Sequence, residues 1–172
     1  MSTQTHIREA VQGVLAYYAE HPNETIGADK AAVAVIEDGL RTRAVGPDGQ
    51  TLLCDMPKAL GGGAAFPSPG WTMRAALASC EAVMIALRAA QLGVELSTLE
   101  VRVGSTSDDR GMMGMDDAVP AGPLHMQIGI RIGGDGVSAE TLHAIVAWAL
   151  KHSPVGEPLT RVMPVECAVE IV

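Results

Sequence analysis

Cys80 is the residue best placed to do chemistry of its own. A cysteine attacks as its thiolate, and a free thiol ionises near pH ~8.5, so only a few per cent is reactive at neutral pH. A reactive cysteine therefore needs a cation or strong donors beside it. The other two cysteines, Cys54 and Cys167, lie far away in the sequence. No two of the three form a Cys-x-x-Cys pair, so a structural zinc site is not expected. An odd, irregularly spaced set does not read as a secreted disulfide framework either.

Cys80 must be positioned by the stretch 69–93, which reads as one long helix. Ala, Leu, Met, Arg, Glu and Gln dominate it, and all favour helix. Ser68 suits the N-cap, Pro69 the first turn and Gly93 the stop. Met73, Leu77, Cys80, Met84 and Leu87 recur at three- and four-residue spacing, which puts Cys80 on an apolar face. Arg74, Glu81 and Arg88 form a narrow polar stripe elsewhere on the helix. A helix so apolar nearly all round is expected to be buried on most sides. Cys80 lies about three turns from Pro69, too far for the helix dipole to assist a thiolate.

The 172 residues fit one domain, and the core must be built from aliphatic residues, since aromatics make up only 3%. A net charge of −8 excludes nucleic acid or an anionic membrane as the main partner. The N-terminus Met-Ser-Thr-Gln-Thr-His lacks a signal-peptide pattern. The apolar run of the Cys80 helix is interrupted by Glu81, so no membrane span is expected. Cytoplasm is the expected home.

In order, 5–20 reads as an amphipathic helix with Ile7, Val11, Val14 and Tyr18 on one face. Then come a short buried strand at 31–35, an alternating strand at 40–45 with Arg41 and Arg43 on one face, a Gly46-Pro47-Asp48-Gly49 turn, and its hairpin partner at 50–55. Gly61-Gly62-Gly63 lacks a following Lys-Ser/Thr and is a connector, not a nucleotide loop. Strands follow at 97–107 and 122–133, separated by an Asp- and Gly-rich loop without EF-hand spacing. Ser138 caps a helix over 139–151, and Ser153-Pro154 opens a short further helix. A final strand covers 163–172, with Cys167 among its inward apolar residues. This order gives an α+β fold of antiparallel strands covered by one or two central helices. No metal and no cofactor is expected.

Three places together resemble the OsmC/Ohr family of osmotically induced and organic hydroperoxide-resistance proteins. They are Leu-Ala-Ser-Cys80 in the helix, the strand Leu-Glu-Val-Arg-Val with Asp109-Arg110-Gly111 and Gly114, and Ser153-Pro154-Val155 followed by Pro164-Val165. The resemblance covers about 31–172. It implies a single OsmC-like domain, with 1–28 as an N-terminal helical extension and 29–172 as the family core. It further implies an intertwined homodimer, with sheets wrapped around long central helices and sites at the subunit interface. In the family's peroxidases a helix Cys attacks the peroxide and becomes sulfenic acid, and a second Cys resolves it. An Arg from the N-terminal strands holds the thiolate, oriented by a Glu early in the helix. By resemblance Cys80 is the attacking residue, and Arg41, or failing it Arg43, is the cation.

Two positions depart from that pattern. Ser153 stands where the peroxidases have the second Cys, and a serine cannot form the disulfide. Gly70 stands where they have the Glu. Glu81 neighbours Cys80 but lies about 100° round the helix, so it is not expected to substitute. His152 reads as an exposed residue beside Ser153. Three readings stay open. The first is a one-Cys peroxidase, using an organic hydroperoxide and an external thiol reductant. The second is a non-catalytic protein holding a small apolar ligand in a dimer-interface pocket lined by Met73 and Met84. In the third, Cys80 is merely a small core residue.

Overall fold

The structure, a computed structural model, describes residues 3–172. The chain divides into two compact units: Arg8–Ala76, and a unit that joins the residues up to Ile7 to Leu77–Val172. Helix α1 (Thr3–Glu20) leads the chain. It forms as its periodicity predicts, yet none of its residues is buried and Val14 and Tyr18 are exposed.

The Arg8–Ala76 unit holds a three-stranded antiparallel meander of β1 (Val33–Asp38), β2 (Arg41–Val45) and β3 (Thr51–Cys54). Gly39, at φ +56°, turns β1 into β2, and Gly49, at φ +82°, closes the next turn, both angles that favour glycine. Strand β1 starts two residues later than its apolar run suggests and is exposed at every position rather than buried. Val33, Val35 and Ile36 are exposed.

Helix α2 (Pro69–Gln91) begins in the first unit and enters the other at Leu77; that unit also holds β4 (Thr98–Thr106), β5 (His125–Gly133) and α4 (Ala139–Lys151), with α3 (Asp109–Met112) between the strands. Strands β4 and β5 pair antiparallel from Thr98↔Gly133 to Thr106↔His125. Ser138 caps α4 by accepting from Thr141 N–H at 3.1 Å. Ile85 and Ala89 of α2 meet Ile145 and Ala149 of α4 in a fully buried cluster. Leu99, Val101, Ile130 and Ile132 of the sheet complete this core. Each fully buried isoleucine contributes about 1.5–3 kcal/mol.

The loop between β4 and β5 is organised by its own charges. Asp108 caps α3 and binds the Arg110 guanidinium through both carboxylate oxygens. Arg110 holds the Asp108 carboxyl below its ordinary range.

The final strand expected over 163–172 does not form. Val165, Val169 and Ile171 are exposed, and so is Cys167, which the sequence reading placed in the core. An alternating apolar row becomes a strand only where a sheet edge accepts its N–H and C=O groups. Among the described residues no such edge receives it.

Candidate functional site

Cys80 lies mid-way along α2 and is half-buried. The turn after α4 comes to meet it. His152 ends that helix: its Nδ1–H donates to the Trp148 carbonyl at 2.7 Å, and its ring stacks on Trp148 at 4.3 Å. The Arg88 guanidinium lies 4.7 Å from the centre of the Trp148 ring. His152 thus belongs to the end of the helix, and the chain then turns inward at Ser153.

Ser153 is fully buried, and its hydroxyl donates to Cys80 Sγ at 3.3 Å. Its oxygen accepts from Gly156 N–H at 2.9 Å across a turn, and the short helix expected to open at Ser153-Pro154 begins only at Glu157. With its lone pair held by that backbone donor, the hydroxyl proton is free to point at sulfur. The structure therefore brings together Cys80 and Ser153, which stand 73 positions apart.

The row of α2 that faces inward is Leu77, Glu81, Ile85 and Ala89, at four-residue spacing. Sequence reasoning set Glu81 on a polar stripe and dismissed it. In the structure Glu81 is only 1% exposed. A Cβ added to Gly156 would lie 2.4 Å from Glu81 Oε1 and 2.9 Å from Ser153 Oγ, so both oxygens crowd one point. Glu81 Oε2 is buried without a hydrogen-bond partner among the described residues. Leaving a buried polar atom so costs about 1–3 kcal/mol. The signal in the sequence was the unbroken i, i+4 row, with a carboxyl where the pattern wants an aliphatic. Met84 packs against the helix core.

Arg41 and Arg43 share Glu37, which sits at the irregularity in β1–β2 pairing. Arg43 Nε donates to Glu37 Oε1 at 2.6 Å. Arg41 Nε lies 3.5 Å from Glu37 Oε2, an ion pair without hydrogen-bond geometry, and it is buried with no hydrogen bond among the described residues.

The three-glycine loop has a structural cause. The Asp55 carboxylate accepts from Met56, Gly63 and Ala65 N–H at 2.7, 3.2 and 3.0 Å. The Ala65 donor above all, then those of Met56 and Gly63 and the Arg41 charge, hold the Asp55 carboxyl below its ordinary range against the opposing effect of burial. A Cβ on Gly62 would meet the Met56 carbonyl at 2.0 Å. Gly70 is open, with only Arg74 Nη1, 4.0 Å away, near the place of a side chain. An apolar groove of about 450 Å³ runs beside this loop, lined by Met56, Pro57, Phe66, Pro67 and Trp71, with Arg74 contributing a cation.

A profile of the OsmC-like protein family matches residues 61–168, well over half of the chain. The chain belongs to the OsmC-like protein family. An OsmC-like protein from Mycoplasma pneumoniae superposes with a TM-score of 0.66 at 17% identity, over 80% of this chain and 91% of that one. An OsmC-like protein of unknown function from Vibrio cholerae gives 0.63 at 11% identity, over 76% and 93%. An organic hydroperoxide resistance protein from Legionella pneumophila gives 0.55 at 19% identity, over 77% and 91%. At these identities the likeness establishes the OsmC-like α+β fold. No curated protein matches the chain in sequence. Among the described residues no helix is long and apolar enough to cross a membrane.

Proposed function

We propose that this OsmC-like protein is a one-cysteine thiol peroxidase that reduces organic hydroperoxides. The observation that carries this reading is the Ser153 hydroxyl aimed at a half-buried Cys80 sulfur at 3.3 Å. Cys80 attacks the terminal peroxide oxygen. The S–O bond forms as the O–O bond breaks, sulfur loses two electrons, and the departing alkoxide takes the thiol proton and leaves as alcohol. The sulfenic acid is then reduced by two equivalents of an external thiol, releasing water and a disulfide of that reductant. Ser153 cannot supply the resolving sulfur, so the reductant must come from solution.

The family resemblance makes Arg41 the candidate cation of the reaction. Its Nε has no hydrogen-bond partner among the described residues and lies 3.5 Å from Glu37 Oε2, whereas Arg43 Nε donates to Glu37. The chain works as a homodimer, with residues 29–172 as the family core. Supporting this, β1 exposes Val33, Val35 and Ile36, α2 leaves Val83 62% exposed, and the apolar row after Met163 has no sheet edge. Three unpaired cysteines support a reducing compartment such as cytoplasm. The test is dimedone mass spectrometry after one equivalent of cumene hydroperoxide. Sulfenate is expected at Cys80, and turnover with dithiothreitol is expected to vanish in Cys80→Ser. A Cys80 that stays reduced rejects the peroxidase reading.

A second reading is favoured by the groove beside Phe66 and Trp71, which holds two of the chain's five aromatic residues. It is binding of a small apolar ligand without turnover. Native mass spectrometry of the purified protein is expected to show a bound apolar molecule if this reading holds. An empty protein rejects it.

A further inference from the structure

The cluster around Ser153 is short of one hydrogen-bond donor. The Ser153 hydroxyl carries a single proton, given to Cys80 Sγ. Its oxygen already accepts from Gly156 N–H and, having two lone pairs, can accept once more. Glu81 Oε2 is buried with no partner among the described residues, in a side chain 1% exposed. Glu81 Oε1 and Ser153 Oγ both lie within 2.9 Å of one point, the place of a Cβ on Gly156. Gly156 is at φ −79°, an angle open to any residue, so the absence of a side chain there serves the room that Glu81 and Ser153 share.

We propose that Glu81 is a positioning residue which, through Ser153, keeps oxidised Cys80 as a long-lived sulfenic acid. The inference rests on the oxidation of Cys80 put forward above. Oxidation adds the donor that the cluster lacks. The S–OH group donates to the second lone pair of Ser153 Oγ. The serine proton, released from sulfur, turns to the Glu81 carboxyl. Gly156 N–H continues to hold the serine oxygen. The Glu81 carboxyl then has a donor, which among the described residues it lacks while the sulfur is reduced. In a chain that cannot form the resolving disulfide at position 153, this arrangement protects the intermediate until an external thiol arrives. It also slows further oxidation to sulfinic acid, because the sulfenic proton is held in a hydrogen bond.

The test generates sulfenate with one equivalent of peroxyacetic acid, so that it does not depend on activity towards organic hydroperoxides. In that step sulfur takes up the terminal oxygen and acetic acid leaves with the thiol proton. Dimedone tagging of the Cys80 peptide over time gives the sulfenate lifetime, and the same spectra give the sulfinic fraction. Glu81→Gln and Ser153→Ala are each expected to shorten the lifetime tenfold or more and to raise the sulfinic fraction. Lifetimes within twofold of wild type overturn the proposal.

A second readout uses the wild-type chain alone. The infrared difference spectrum, oxidised minus reduced, is expected to show a shifted carboxyl band that is absent from Cys80→Ser. No shift overturns the proposal even if the variants fold poorly. A Cys80 inert to cumene hydroperoxide, with a sulfenate that still depends on Glu81, rejects the peroxidase reading and leaves this one standing. A reactive Cys80 with lifetimes indifferent to Glu81 does the reverse.

Discussion

Ser153→Cys puts a thiol where the structure has a hydroxyl 3.3 Å from the Cys80 sulfur. The longer C–S bond brings the two sulfurs closer still, and a disulfide needs them about 2 Å apart. Closing a loop between positions 73 apart removes unfolded-state entropy worth about 4 kcal/mol in the chain-entropy model. Against this stands the Ser153 oxygen, which accepts from Gly156 N–H at 2.9 Å. Sulfur accepts weakly, so about 1 kcal/mol is lost. The net gain of the oxidised over the wild-type chain is about 3 kcal/mol. For a chain of this size that is a rise of roughly 6–12 °C in Tm. The assay is one equivalent of hydroperoxide, followed by a free-thiol count, intact mass and a thermal melt with and without dithiothreitol. The expected result is the loss of two thiols and two hydrogens within a single chain, with a Tm that falls when reductant is added. A variant that accumulates sulfenate and forms no disulfide would refute the placing of Ser153 over Cys80.

Other consequences follow from individual contacts. Gly156→Ala drives a Cβ to 2.4 Å from Glu81 Oε1 and is expected to cost about 1–3 kcal/mol by overpacking. Glu81→Ala in the same chain removes the clash, so a double-mutant cycle by urea denaturation should give coupling of about 1 kcal/mol or more, and simple additivity counts against the contact. Asp55→Asn is expected to lower Tm at neutral pH. The folded Asp55 carboxyl titrates below its ordinary 3.8, so its contribution is fully present above that value and is lost as pH falls through the lower folded value. The Tm gap between wild type and Asp55→Asn should therefore hold steady above pH ~5 and close towards pH ~2, and a gap unchanged in acid refutes the assignment. Ile145→Ala opens a cavity in a fully buried cluster and should cost about 2–5 kcal/mol, read from the urea midpoint.

Most of the fold was legible because its signals are local. Proline at the start of α2, glycine after it, Ser138 before α4 and alternation along β4 and β5 each act through neighbours in sequence. The hairpin turn at 46–49 follows from the same chemistry, whereas the turn at Gly39 was not read from the sequence. Local signals misled where an element needed a partner. The buried strand expected at 31–35 is exposed, and the strand expected over 163–172 is absent. Both carry apolar rows that the sheets and helices of the chain do not cover. For the site, the type of Cys80 announced chemistry, and likeness to a family singled out Ser153.

The tertiary structure decided what surrounds the sulfur. Cys80 and Glu81 are adjacent, yet successive residues of a helix point about 100° apart, so adjacency gave no reason to join them. The turn Ser153–Gly156 joins them from outside the helix: its serine reaches Cys80, and its glycine lies against Glu81. That meeting depends on how α4 packs across α2 through Ile85, Ala89, Ile145 and Ala149. The sequence by itself determined that a helix would carry a thiol and that a serine would stand in for a second one. Only packing placed a buried carboxyl beside them, because a long-range contact is set by the core that brings two segments together and not by the pattern within either.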